Sequence, residues 1–275
     1  LPLIIFDTTP TADFSPAQDP AELMYNHGIH GVQDMCNLLL RNGKPFFITA
    51  GHWEDVETVR ELVRYIEAAG MATALRTARI GLIGEPFAGM GDFAIPAPDL
   101  KRDIGAEVVS LEAEEWDRNR KAVSQDDIET ELKLDRERFD CSDIPDNTLE
   151  RSIALGLAVR RWMDENRLTG FTFNFRDITA ANGFETVPFL EAGKQMASGR
   201  GYAGEGDCLT AALISAVGSV YPETGFTEMF CPDWKGNTIF LSHMGEINYK
   251  LVSGKPSGKP AVKEMDYAFS ETGNP

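Results

Sequence analysis

Apolar and polar positions change period along this chain, and the changes mark its organisation. LPLIIF (residues 1–6) and KPFFITA (residues 44–50) are short unbroken apolar runs, the pattern of buried parallel strands. Between them GVQDMCNLLLRNG reads as a helix closed by Gly43. After Gly51-His52-Trp53, apolar residues recur at Val56, Val59, Leu62, Val63 and Ile66. That spacing predicts a helix with one apolar stripe, ending at Gly70.

A second series begins near Ala78. ARIGLIG predicts a strand, DLKRDIG a short helix and EVVSL another strand. From Glu112 to about Asp146 charges of both signs alternate, the pattern of solvated helices. LERSIALGLAVRRWMDENRL predicts a stronger helix, and LTGFTFNF a strand ending at Arg176-Asp177. Asp207 is placed to cap a helix whose apolar face is Leu209, Ala212, Leu213, Ala216, Val217 and Val220. Beyond Tyr221 the period drops to two. GFTEMF and NTIFLSHMGEINYKLV read as antiparallel strands about a turn near Lys235-Gly236, and SGKPSGKP (residues 253–260) as a loop.

The predicted fold class is therefore α/β: two three-layer, Rossmann-like units followed by the start of an antiparallel β domain. Residues 1–77 are expected to be the remainder of an N-terminal α/β domain, 78–220 a central α/β domain, and 221–275 the beginning of a C-terminal β-rich domain. The chain opens on a strand, with no basic leader, and its first residue is not methionine. We expect it to be an excised part of a longer protein.

Composition narrows the partners. The chain is 43% hydrophobic and 25% charged, an ordinary globular balance, and no apolar run approaches a bilayer's thickness. A formal net charge of −17 argues against nucleic acid and anionic membranes. Cys36, Cys141, Cys208 and Cys231 form no CxxC pair and suggest no disulfide framework, so a cytoplasmic location is expected.

The candidate chemistry starts from the hairpin. Phe226, Glu228 and Phe230 share one strand face, and a carboxylate between phenylalanines needs a partner. A hairpin centred on Lys235-Gly236 pairs Glu228 with His243, Cβ atoms about 5 Å apart, unless a bulge breaks the register. Such a couple is a structural ion pair, a general acid/base couple, or half a site for Mn²⁺, Co²⁺, Fe²⁺ or Zn²⁺. Glu205 lies between Gly204 and Gly206 just before a helix, where glycine permits close approach by a ligand; alone it reads as a capping turn. His27 and His30 read as a loop or helix start, and Trp53 as core or as a ligand contact at a strand end. GLIGEPFAGMG is glycine-rich after a strand but lacks the GxGxxG spacing and is interrupted by Pro86, which counts against a nicotinamide-dependent oxidoreductase.

Taken in order, NHGIHGVQDMCNLL, AGHWED, IGEPFAGMGDF, FTFNFRD, GYAGEGDCLTAAL, GFTEMF and FLSHMGE resemble the L-arabinose isomerase and L-fucose isomerase superfamily, closer to the arabinose side. The resemblance spans nearly the whole chain. It implies a metal-dependent aldose–ketose isomerase acting on a pentose or deoxyhexose such as L-arabinose or L-fucose. The alternative it leaves is a catalytically inactive sugar-binding relative. By resemblance Glu205, Glu228 and His243 are metal ligands, Glu205 and Glu228 the catalytic acid/base pair, and His30, Phe87 and Phe175 contacts of the sugar. The implied cofactor is Mn²⁺, or another divalent cation such as Co²⁺ or Mg²⁺. The implied partners are a monosaccharide and further copies of the chain, in a homo-oligomer whose sites are shared between subunits. Three departures stand out: no histidine follows His243 to supply a further ligand, Cys208 replaces a common aromatic, and Met229 a common acid.

Overall fold

The computed structural model describes residues 2–252 and 258–264. It divides into two compact units, Leu1–Thr73 and Ala74–Pro275. The chain is α/β, with two parallel sheets and a small antiparallel one, as its periodicity leads one to expect.

In the first unit β1 (Leu3–Asp7) pairs in parallel with β2 (Phe46–Ala50), Leu3 opposite Phe46 and Asp7 opposite Ala50. The connection carries α1 (Pro20–Asn26) and α2 (Ile29–Arg41), and α3 (Val56–Arg76) follows β2. Asp19 caps α1 by accepting from the Ala21 amide at 2.9 Å, with Pro20 in the first turn. Two expectations fail here. The third helix runs through Gly70 to Arg76, because one glycine costs only about 1 kcal/mol and good helix formers follow it. Its apolar stripe forms but stays uncovered, Val56 being 65% and Ile66 54% exposed. A two-stranded sheet offers too little surface to bury a long helix.

In the second unit β3 (Arg79–Ile83), β4 (Glu107–Ser110), β5 (Gly170–Phe173) and β6 (Gly201–Ala203) form one parallel sheet in the order β4-β3-β5-β6. Its helices are α4 (Ala97–Asp103), α5 (Ala113–Lys121), α6 (Gln125–Arg138), α7 (Asp146–Glu165), α8 (Phe189–Ala197) and α9 (Cys208–Gly218). The core is built on Ile80, Val159, Trp162, Phe171, Phe173 and Tyr202, all essentially buried. α9 packs on β3, β5 and β6. It turns Cys208, Ala211, Ala212, Ser215 and Ala216 inward and leaves Leu209 and Leu213 exposed, a face rotated from the predicted one. Small side chains let the helix lie close on the strands.

The charged region corrects a further reading. α6 is not simply solvated: Glu131 and Asp135 are buried. The Lys194 Nζ bonds Glu131 at 2.9 Å and Asp135 at 2.5 Å, and Arg160 bridges Glu131 and Glu191 at 2.8–3.1 Å. Arg138 approaches Glu131 and Asp135 at 3.4 and 3.6 Å, so three cations face three acids, and burial is tolerated because the signs balance.

The hairpin is β7 (Glu228–Asp233) against β8 (Thr238–Ser242). The expected register holds where Cys231 faces Phe240 and Asp233 faces Thr238. A bulge between Met229 and Cys231 then shifts it, so that Glu228 faces Ser242 rather than His243. Beyond Ser242 the chain leaves the strand, apart from a short 3-10 turn at Tyr249–Leu251. Most of the predicted loop at 253–260 lies outside the described residues.

Candidate active site

The parallel strands β3, β5 and β6 end on one edge, the place where open α/β sheets bind ligands. Three loops leave that edge and tie to one another. After β3, the Glu85 amide donates to Asp177 Oδ2 at 2.8 Å, and the Glu85 carbonyl accepts from Asn174 Nδ2 at 2.9 Å. After β6, Thr172 Oγ1 donates to the Gly204 carbonyl at 3.2 Å and accepts from the Gly206 amide at 3.0 Å. The Phe87 amide donates to the Glu205 carbonyl at 2.9 Å, closing the loops together.

This clamp holds Glu205 in the left-handed region, φ +63°. A non-glycine residue there is strained by about 1–2 kcal/mol and persists only where its surroundings over-determine it. The flanking glycines have a steric reason. A Cβ on Gly204 would stand 2.6 Å from the His243 Cε1, and one on Gly206 would stand 2.7 Å from the Pro86 Cα. An imidazole and a neighbouring backbone, then, occupy the space that the glycines leave. Asp207 caps α9 as expected, accepting from the Thr210 amide at 2.9 Å.

His243 sits just past the end of β8 with its ring 4% exposed, edge-on to Phe226 at 4.9 Å between centroids. Its Nε2 lies 3.9 Å from Glu228 Oε1. So the bulge removes direct pairing, yet the two side chains still meet. Its Nδ1 lies 2.5 Å from Glu246 Oε1, an oxygen that also accepts from the Tyr202 hydroxyl at 3.0 Å. The Glu246 side chain is wholly buried, and its Oε2 has no hydrogen-bond partner among the described residues.

The charges of this cluster act on one another. Burial raises the Glu205 pKa above the ordinary carboxylate value, and the Glu228 charge raises it further, against His243 and Arg176. For His243 burial is the largest influence and lowers its pKa. The bond to Glu246 and the charges of Glu246, Glu228 and Glu205 outweigh it and leave the imidazole raised. Cys208, next to the site in sequence, is a buried thiol pushed up to about 12, mainly by burial, and so stays protonated.

Phe87 and Phe175 come together, ring centroids 5.6 Å apart, with the Arg176 guanidinium 4.2 Å over the Phe87 ring. His30 lies in the first unit, exposed on α2, its ring edge-on to His27 at 5.8 Å. Trp53 is 53% exposed there and is no core residue.

Three residues of this region escape a reading from sequence. Glu246 had a signal, since His243-Met244-Gly245-Glu246 spaces an acid three residues after the histidine across a glycine. Gly245 takes φ +114°, and the turn brings Glu246 back onto the ring. Tyr202 and Arg176 had none, because each acts through contacts distant in sequence.

Carboxylate oxygens and an imidazole nitrogen suit a divalent cation, and the local excess of carboxylates favours one. The donor chemistry fits; a closed cage is not preformed. Among the described residues no three His, Cys, Asp or Glu side chains stand together closely enough to hold an ion. Nor is any helix among them long and apolar enough to cross a membrane.

Fold and site thus define an α/β protein with a carboxylate–imidazole cluster at the carboxyl edge of its parallel sheet. Residues 99–221 match the family model of the L-arabinose isomerase central domain. That match supports the arabinose-isomerase side of the superfamily that the motifs resemble. It is 24% identical to an L-arabinose isomerase of Acidothermus cellulolyticus over 84% of this chain and 48% of that protein. It is 24% identical to L-arabinose isomerase 1 of Bacillus licheniformis, over 93% and 52% respectively. For the L-arabinose isomerase of Oceanobacillus iheyensis the figures are 26% identity, 84% and 50%. The chain spans about half the length of the curated relatives it matches.

Proposed function

We propose that the parent protein is a metal-dependent aldose–ketose isomerase acting on a pentose or deoxyhexose, of which L-arabinose and L-fucose are the first to test. The observation that carries this reading is the meeting of Glu228 and His243, beside a strained and clamped Glu205, at the carboxyl edge of the sheet. Relatives named L-arabinose isomerase support it.

Isomerisation moves a proton between adjacent carbons through an enediol. In this reading one of Glu205 and Glu228 takes the proton from one carbon and the other returns a proton to its neighbour, while a proton passes from the hydroxyl oxygen of the first carbon to the carbonyl oxygen of the second. Their surroundings differ in the way that division of labour needs: Glu205 is held in a buried turn, whereas the Glu228 side chain is 41% exposed. Phe87 and Phe175 exclude water and cover the apolar face of the sugar, and His30 contacts the sugar in a site completed by another subunit. Glu205, Glu228 and His243 would hold the cation, Mn²⁺ or a substitute such as Co²⁺ or Mg²⁺. When bound, it polarises the carbonyl and offsets the charge of the oxyanion. A homo-oligomer in the cytoplasm completes the proposal. So does the three-part division at 77 and 220, with the chain a fragment of the whole.

The test is a ketose-formation screen of the full-length parent with Mn²⁺ against a panel of aldoses, with chelated enzyme as control. Glu205→Gln and Glu228→Gln should each lower kcat by at least about 100-fold. Near-normal turnover by either variant refutes its assigned role, and no ketose from any aldose refutes the activity.

A further inference from the structure

Glu246 has no part in the chemistry just described, yet it is the most completely buried acid near the cluster. Its Oε1 receives two donors, His243 Nδ1 at 2.5 Å and the Tyr202 hydroxyl at 3.0 Å. An ionised carboxylate only accepts, so the proton of that short contact belongs to Nδ1. A neutral imidazole with its proton on Nδ1 presents a lone pair at Nε2. That atom lies 3.9 Å from Glu228 Oε1, itself an acceptor. Two acceptors face each other across a gap, which is favourable only with a positive species between them: a proton on Nε2 in the imidazolium form, or a bound cation once the ring is neutral.

The fold is built to hold this arrangement. Gly245, at φ +114°, returns the chain so that Glu246 reaches the ring of His243 three residues before it. Tyr202, wholly buried in β6, fixes the carboxylate from the core, and Gly204 in the next turn leaves room for the imidazole. The ring is therefore held by Glu246 at one nitrogen, in the space that Gly204 leaves beside Cε1, with its other nitrogen 3.9 Å from Glu228 Oε1.

We propose that Glu246 is a positioning residue: with Tyr202 behind it, it holds His243 in the Nδ1–H form and so offers Nε2 as a ligand to a divalent cation shared with Glu228. The proposal rests on the metal-dependent reading above. Carboxylates that accept from the outer nitrogen of a metal-binding histidine typically contribute 10–100-fold in affinity.

The experiment uses the full-length parent protein, metal-free and at a pH above the raised His243 pKa so that the ring is neutral, with ¹⁵N-labelled histidine. Two readouts are taken on wild type, Glu246→Gln, Tyr202→Phe and Glu228→Gln: the ¹⁵N shifts of His243, which report the tautomer, and Mn²⁺ binding by calorimetry. The expected result is an Nδ1–H His243 in the wild type, lost or mixed in Glu246→Gln, with Mn²⁺ bound roughly 10–100-fold more weakly. Tyr202→Phe should weaken Mn²⁺ less and leave the tautomer largely Nδ1–H. An Nε2–H tautomer in the wild type overturns the proposal, as does equal Mn²⁺ affinity in wild type and Glu246→Gln. A merely structural Glu246 would lower the unfolding midpoint of Glu246→Gln without moving the tautomer in the folded fraction, and that too overturns it. Absence of Mn²⁺ binding by the wild type, with the tautomer as expected, overturns the metal reading instead. Glu228→Gln separates the two, since it should lose Mn²⁺ while His243 stays Nδ1–H.

Discussion

Between α6, α7 and α8, Lys194, Arg160 and Arg138 stand among Glu131, Asp135 and Glu191, three cations for three acids, each cation paired with two carboxylates. At the carboxyl edge of the sheet, the charges of Glu205, Glu228 and Glu246 act on one imidazole, and Arg176 acts on Glu205. Both clusters are polar and at least partly buried, but their electrostatics differ. In the first, fixed cations answer the carboxylates, and the result is structural. In the second, acids outnumber cations, one acid sits in a strained backbone, and its pKa is driven upward. Carboxylates massed without enough fixed cations cost stability, and sites that bind or react are where such a cost is tolerated.

Removing a cation from the balanced cluster should have the largest effect. Lys194→Met leaves Asp135 and Glu131 short of a partner in the interior, and is expected to cost about 3–5 kcal/mol in urea unfolding. A loss under about 1 kcal/mol would mean that the cluster is solvated after all.

Acid should reach the same cluster next. Burial alone would raise the Glu131 pKa, but Arg160 and Lys194 outweigh it and hold the carboxyl at about 2, below its ordinary 4.5. A depressed carboxylate gives stability that is complete above its unfolded value and is lost as pH falls from about 4.5 towards 2. The contribution is on the order of 3 kcal/mol. Asp135 runs the other way, raised mainly by burial, so comparing wild type with Glu131→Gln at pH 6 and pH 3 isolates the Glu131 share. Equal pH dependence in the two proteins would break the account.

The smallest expected effect is the most diagnostic. Glu228→Gln removes one charge from the acid-rich cluster, and should leave metal-free stability unchanged or raise it by up to about 1 kcal/mol. A loss above about 2 kcal/mol would make Glu228–His243 a structural ion pair, like those beneath α7.

The two clusters were unequally legible. Glu205, Glu228 and His243 carry signals that survive in one dimension: an acid between glycines, an acid between phenylalanines, a histidine on the matching strand. Lys194 and Asp135 carry none, because 59 residues separate them and a charged helix with a buried edge looks like any solvated helix. Phe230 shows the limit of pattern reading even nearby. One bulge in β7 moves Glu228 from opposite His243 to opposite Ser242, and the alternation of apolar residues is blind to it. The pair survives because His243 lies past the strand end, where the chain bends inward.

By itself the sequence determined the α/β class, the succession of strands and helices, the cap at Asp207 and the residue types of the site. Those are consequences of local period and local hydrogen bonding, which act over a few residues. Tertiary structure alone decided which face of α9 is buried, where Glu246 and Tyr202 stand, and which charges meet inside. Such choices depend on distances between segments remote in the chain, and burial makes each one cost or yield several kcal/mol.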